Sequence, residues 1–167
     1  MYMPLLINGV QSVDHWTLLE TQKFSSNEED VQLELQKLQQ QESSIIYPLA
    51  TYMANRELLN SASQTTGLLV TGDDDISDLT TVLNEVSLVA IDFPVLRDGR
   101  GFSIARTIAR HGFKGEIRAV GDVGFDRLDN MQRSGFNAYQ VAQDNFSDDL
   151  SRAFTEIGVN YQATHTR

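Results

Sequence analysis

Cysteine is absent from the 167 residues. The chain therefore holds no disulfide, thiolate nucleophile, thiolate zinc site or cysteine-ligated iron–sulfur cluster. Histidine is scarce as well: His15, His111 and His165 are scattered, with no i, i+4 pair, so surface or local hydrogen-bonding roles outweigh metal ligation. No Ser-His-Asp order or nucleophile elbow is present. No apolar run approaches the roughly 20 residues of a membrane helix. The opening Met-Tyr-Met-Pro-Leu-Leu-Ile-Asn lacks the basic region and long apolar block of a secretory signal, so the expected location is cytoplasmic.

What is present is an ordinary apolar fraction, 41%, on a length that suits one domain with a proper core. The formal charge of −10 opposes nonspecific attraction to nucleic acid or to an anionic membrane. That charge is unevenly placed. Between Arg97 and Arg133 eight basic residues face five acidic ones, a local balance of +3, which leaves −13 on the remainder. Arginines of this kind either solvate helix faces and pair with carboxylates, or line a positive pocket for a small anion or an acidic partner.

The N-terminal region, 1–45, offers Leu5 to Ile7 and Trp16 to Leu19 around the turn signal Asn8-Gly9, which suggests a hairpin or a pair of edge strands. The glutamine-rich stretch to Gln41 reads neither as helix nor as strand. Tyr47-Pro48 is expected to open a helix with Leu49, Tyr52, Met53, Leu58 and Leu59 as its apolar stripe. A regular cadence follows. Gly67–Thr71, Ser87–Ile91, Glu116–Val120 and Ala138–Val141 read as buried strands. Helices are expected at Asp78–Asn84, at Ser103–His111 before Gly112, around Phe125, Leu128 and Met131 before Gly135, and from Ser147 to Gly158. The whole reads as a single α/β domain, with a βα core over 46–160 and a tail from 161. Its small parallel sheet of βα units, doubly wound or a partial barrel, has an N-terminal β element, and both sheet faces should be covered. The length excludes eight βα units, and strand order is not legible.

Chemistry concentrates at two loops that follow predicted parallel strands. The first runs from Asp92 through Arg97, Asp98, Gly99, Arg100 and Gly101 to Ser103 at a helix start. Free helix N–H groups backed by arginines suit a phosphate, sulfate, sulfite or carboxylate. Equally, Asp98 and Ser103 serve as caps and the glycines satisfy backbone geometry. The second loop carries Gly121 and Asp122, which would face the first across neighbouring strand ends, and Arg118 lies within the strand before it, where an arginine usually pairs with a carboxylate. Gly99-x-Gly101 is only a loose echo of a dinucleotide fingerprint, because six residues separate it from Asp92. Asp73-Asp74-Asp75 fails the calcium-loop spacing and reads as a solvated turn.

The segments D-F-P-V-L-R-D-G-R-G-F-S, G-E-I-R-A-V-G-D-V and R-S-G-F-N-A occur in one order, and in them the chain resembles the bacterial domain-of-unknown-function family 934. The resemblance covers about the last two-thirds of the chain, with Tyr47-Pro48-Leu49-Ala50 as a weaker upstream echo. Family members carry the label of an oxidoreductase involved in sulfite reduction, so the resemblance implies a link to assimilatory sulfur metabolism. The matching residues are Asp92, Asp98, Gly99, Arg100, Gly101, Ser103, Arg118, Gly121 and Asp122. Departures are Gly124, Arg127 and Ser134, the last standing where members often carry cysteine. Three readings follow. The first is an accessory protein of assimilatory sulfite reduction that binds sulfite reductase or a small oxyanion through its Arg/Gly loops. The second is an oxidoreductase using a bound flavin or nicotinamide, and the third a structural α/β interaction module. A homo-oligomer is compatible with all three.

Overall fold

The computed structural model of the protein describes residues 4–19, 44–60, 65–95 and 98–141. Arg97, His165 and the helix expected from Ser147 to Gly158 lie outside them. Asn8 and Gly9, at φ 51° and 79°, form the two-residue turn that pairs β1 (Leu5–Ile7) with β2 (Val10–Ser12). The hairpin partner is thus Val10–Ser12. The apolar Trp16–Leu18 instead becomes β3, which pairs in parallel with β4 (Ser44–Pro48).

Tyr47 and Pro48 end β4 rather than open a helix, since Ile45, Ile46 and Tyr47 are all buried and a proline is tolerated at a strand terminus. The helix begins one residue later, as α1 (Leu49–Ala54), and breaks at Asn55 before α2 (Arg56–Asn60). The βα cadence then runs through β5 (Thr66–Val70), α3 (Ile76–Val82), β6 (Leu88–Phe93) and α4 (Arg100–Arg110). It continues with β7 (Glu116–Gly121), a 3-10 turn at Phe125–Arg127, α5 (Leu128–Ser134) and β8 (Ala138–Gln140).

The eight strands of the described residues join one sheet in the order β2-β1-β8-β7-β6-β5-β4-β3. Strands β3 to β8 are parallel and sequential, with no reversal of order, so the fold is the partial barrel and not the doubly wound sheet. Sequential order also decides which face the helices cover. One set of alternate strand residues (Tyr47, Leu68, Val70, Val89, Ile91, Phe93, Ile117, Tyr139) packs with Leu49, Tyr52, Leu79, Ile104, Ile108, Leu128 and Met131 in the main core. The opposite set, centred on Ile46, Leu88 and Ala90, packs with Trp16, Leu69 and Val120 and receives no described helix. The expectation of helices on both faces is therefore corrected: crossovers of one hand between consecutive neighbours leave the described helices on one side.

The other side is the inside of a curl. Seven strand spacings of about 4.8 Å would make a flat sheet roughly 34 Å wide. Yet Ser12 on one edge strand and Trp16 on the other are joined by only three residues, a link that spans at most about 14 Å. The edges must approach each other, giving a curled half-barrel. Trp16 packs closely there: a Cβ on Gly67 would lie 3.0 Å from the indole and 3.1 Å from Leu88, so a larger residue would require these side chains to shift by a few tenths of an ångström.

Candidate functional site

Loops at the C-terminal ends of the parallel strands share one rim, and the sheet register brings the two motif loops together. Asp92 and Val120 are register partners, as are Phe93 and Gly121, and the Asp122 amide donates to the Phe93 carbonyl at 2.8 Å. Gly121 has φ 87°, and a Cβ there would sit 2.5 Å from the Phe93 carbonyl and 2.6 Å from Asp92 Oδ1. Only glycine permits that approach. Asp92 is half-buried, and desolvation holds its carboxyl above the ordinary value. Among the described residues none donates a hydrogen bond to it.

The first loop closes on itself. Gly99 occupies the N-cap position of α4, and Asp98 Oδ1 accepts from the Arg100 amide at 3.0 Å. The Arg100 guanidinium then grips the same carboxylate, Nη2 to Oδ2 at 2.8 Å, and reaches Asp73 in the β5–α3 turn. This pairing lowers the Asp98 carboxyl and raises the arginine further. Gly101 is buried against the Phe93 ring, where a Cβ would meet the ring at 2.5 Å. Ser103 is corrected: α4 starts at Arg100, three residues earlier than its periodicity indicates, so Ser103 is an exposed mid-helix residue and not a cap. Arg100 extends the helix because Asp98 holds its amide in place of the missing intrahelical partner.

The three aspartates after β5 are divided among separate tasks. Asp73 pairs with Arg100, Asp74 accepts from the Thr71 amide and hydroxyl at 2.7 and 2.8 Å, and Asp75 caps α3 by accepting from the Ser77 amide at 2.8 Å. Among the described residues the segments after β5 and β6 thus carry Asp73, Asp74, Asp75, Asp92 and Asp98 against Arg100, and the segment after β7 adds Asp122 and Asp126 with Arg127. His111 also has a local role, its Nδ1 lying 2.9 Å from the Thr107 carbonyl.

Arg118 lies elsewhere: on β7, inside the curl, at 1% exposure. Its Nε donates to Glu116 at 2.7 Å and its Nη1 to Asp14 at 2.9 Å. Nη2 is buried without a partner, a state that costs about 1–3 kcal/mol in general. Asp14, in the short link between the two sheet edges, also accepts from the Trp16 amide at 3.1 Å. Sequence reasoning reached Arg118 but not Asp14, 104 positions away, because no local pattern marks a pairing made by sheet curl. Glu116 was legible, standing two residues before Arg118 on the same face of a strand.

The sequence profile described as "Bacterial protein of unknown function (DUF934)" matches residues 67–167. The chain belongs to this family. The DUF934 match begins at β5 and takes in both motif loops, so the rim and Arg118 lie within it, whereas the hairpin, Asp14 and Trp16 precede it. No curated protein matches the sequence.

Proposed function

We propose that this DUF934 protein is a cytoplasmic accessory protein of assimilatory sulfite reduction that engages sulfite reductase through the loops following β5, β6 and β7. One observation carries the reading: Asp73, Asp98 and Arg100, from two successive loops, form a single ion cluster, with Arg100 53% exposed. The β7 loop is tied to the same rim through Asp122 and Phe93. Exposed, mutually oriented charges suit a protein partner, where they set register and encounter rate. A small oxyanion is served less well, since Arg100 already spends its donors on two carboxylates and the surrounding described side chains are acidic.

The test is capture of sulfite reductase by the tagged protein from a bacterial lysate, compared with Arg100→Ala. Wild type retains the enzyme, while the variant loses it with a melting temperature within about 2 °C of wild type, because an exposed ion pair contributes under about 1 kcal/mol. Failure of the wild type to retain sulfite reductase, or equal retention by the variant, overturns the reading. Flavin absorbance in the freshly purified protein would favour the oxidoreductase alternative instead.

A further inference from the structure

Of the nine asparagines in the chain, only Asn8 is followed by glycine. That pair forms the two-residue turn between β1 and β2, with Asn8 exposed and both residues in the left-handed region. Neither of the groups that would react is engaged. The Asn8 side-chain amide has no partner among the described residues, and the Gly9 amide donates no described hydrogen bond.

The other described asparagines stand differently. Asn60 accepts from Tyr52 Oη at 2.7 Å while its Nδ2 donates to Glu85 at 2.8 Å. Asn137 accepts from the Ile117 amide at 2.8 Å and donates to the Gly115 carbonyl at 3.2 Å, and Asn55 donates to the Thr51 carbonyl at 3.0 Å. Asn84 and Asn130 are exposed, but Glu85 and Met131 follow them, and a side chain on the next residue crowds its backbone nitrogen.

We propose that Asn8 is a spontaneous modification site, converting to aspartate and isoaspartate, and that the isoaspartyl form is a substrate for enzymes that methylate isoaspartyl carboxylates. The Gly9 nitrogen attacks Asn8 Cγ, with no Cβ on Gly9 to hinder it. A carbon–nitrogen bond forms, and the side-chain amide leaves as ammonia, carrying the Gly9 amide proton. Water then opens the resulting succinimide. Opening at Cγ returns the main chain as aspartate, whereas opening at the main-chain carbonyl routes the chain through the side-chain carbon. Ring closure takes Asn8 out of its left-handed turn, and the hairpin is placed to allow this. β2 has three residues, pairs with β1 alone among the described strands, and leaves Val10 and Gln11 exposed, so local opening is cheap.

The two products differ in effect. Aspartate keeps the turn, since Asp-Gly also suits it, and adds one negative charge. Isoaspartate lengthens the main chain within a two-residue turn, so the pairing of Ile7 with Val10 is lost and β2 separates from β1. This site lies away from the rim and does not rest on the sulfite-reductase reading.

The test is incubation of the folded full chain in neutral buffer, followed by tryptic digestion and mass spectrometry. The peptide 1–23, which ends at the first lysine, carries Asn8 as its sole asparagine. It is expected to change from amide to acid at least about tenfold faster than any other asparagine-bearing peptide, and within about tenfold of the rate in urea-unfolded chain. The aged protein should accept a labelled methyl group from an isoaspartyl methyltransferase, and Asn8→Gly, which keeps the turn type, should not. Conversion of the peptide no faster than the others, protection by folding beyond about tenfold, or undiminished methyl acceptance by Asn8→Gly would each overturn the proposal. If Asn8→Gly does not fold, the wild-type peptide rates decide alone.

Discussion

Glu85 gathers side chains from both helices that follow β4. Its carboxylate accepts from Tyr52 Oη at 2.9 Å, Asn60 Nδ2 at 2.8 Å and Arg56 Nε at 3.0 Å, with Arg56 Nη2 on the second oxygen. Arg56 first, then the amide and hydroxyl donors, hold the carboxyl down to about 2. A depressed folded value means that the contribution to stability is complete above the unfolded value, about 4.3, and is lost as pH falls toward the folded one. Glu85→Gln is thus expected to lose about 1–2 kcal/mol at neutral pH, and the gap from wild type should close as pH approaches 2. Urea unfolding at both ends of that window checks this, and a pH-independent gap would refute it. Gly121→Ala probes a different constraint. With φ 87° and a Cβ 2.5 Å from the Phe93 carbonyl, the substitution should cost about 2 kcal/mol or more in thermal unfolding, and no loss would show that the turn relaxes freely. At this scale the sequence placed Asp92, Arg118 and Gly121 on or at the end of parallel strands, as found, whereas Arg100, expected in the loop, opens α4. It left Arg100's second partner unseen, because Asp73 belongs to a different loop.

Helix starts were the elements hardest to read, and side-chain caps explain why. The periodicity of Ile104 and Ile108 locates the buried face of α4, but its first turn depends on Asp98 holding the Arg100 amide, which carries no hydrophobic signal. α3 is similar: it opens at Ile76 because Asp75 caps it, two residues before the expected start. Asp75→Ala should therefore cost about 1 kcal/mol by chemical denaturation, while the neighbouring exposed Asp73→Ala costs less than about 0.5. Equal effects would mean that the acidic run acts through charge alone. The strands β5 to β8 were legible because each is a short apolar run between turn residues. β4 was not, since Ile45, Ile46 and Tyr47 abut Pro48 and a helical stripe, and the proline fits a strand end as well as a helix start.

The sheet closes upon itself as far as it does because a three-residue link joins its two edges, and this could not be read from strand content alone. Once β3 through β8 are sequential and parallel, consistent right-handed crossovers decide between a doubly wound sheet and a partial barrel, yet strand order has no local signature. What fixes the curl chemically is Arg118, which reaches from β7 to Asp14 in that link while Glu116 holds its Nε. Removing the two ends of this network should have unequal consequences. Asp14→Ala takes away the tie across the curl but leaves Arg118 paired with Glu116, for an expected loss of about 2–3 kcal/mol. Arg118→Met leaves both Asp14 and Glu116, at 22% and 18% side-chain exposure, without their cation, for about 3–5 kcal/mol. Asp14→Ala should also shift Trp16 emission to the red, because the Asp14 carboxylate holds the Trp16 amide and so places the indole over Gly67. Denaturation midpoints together with emission spectra distinguish the cases. If Asp14→Ala proves as stable as wild type with unshifted emission, backbone pairing alone sets the curl.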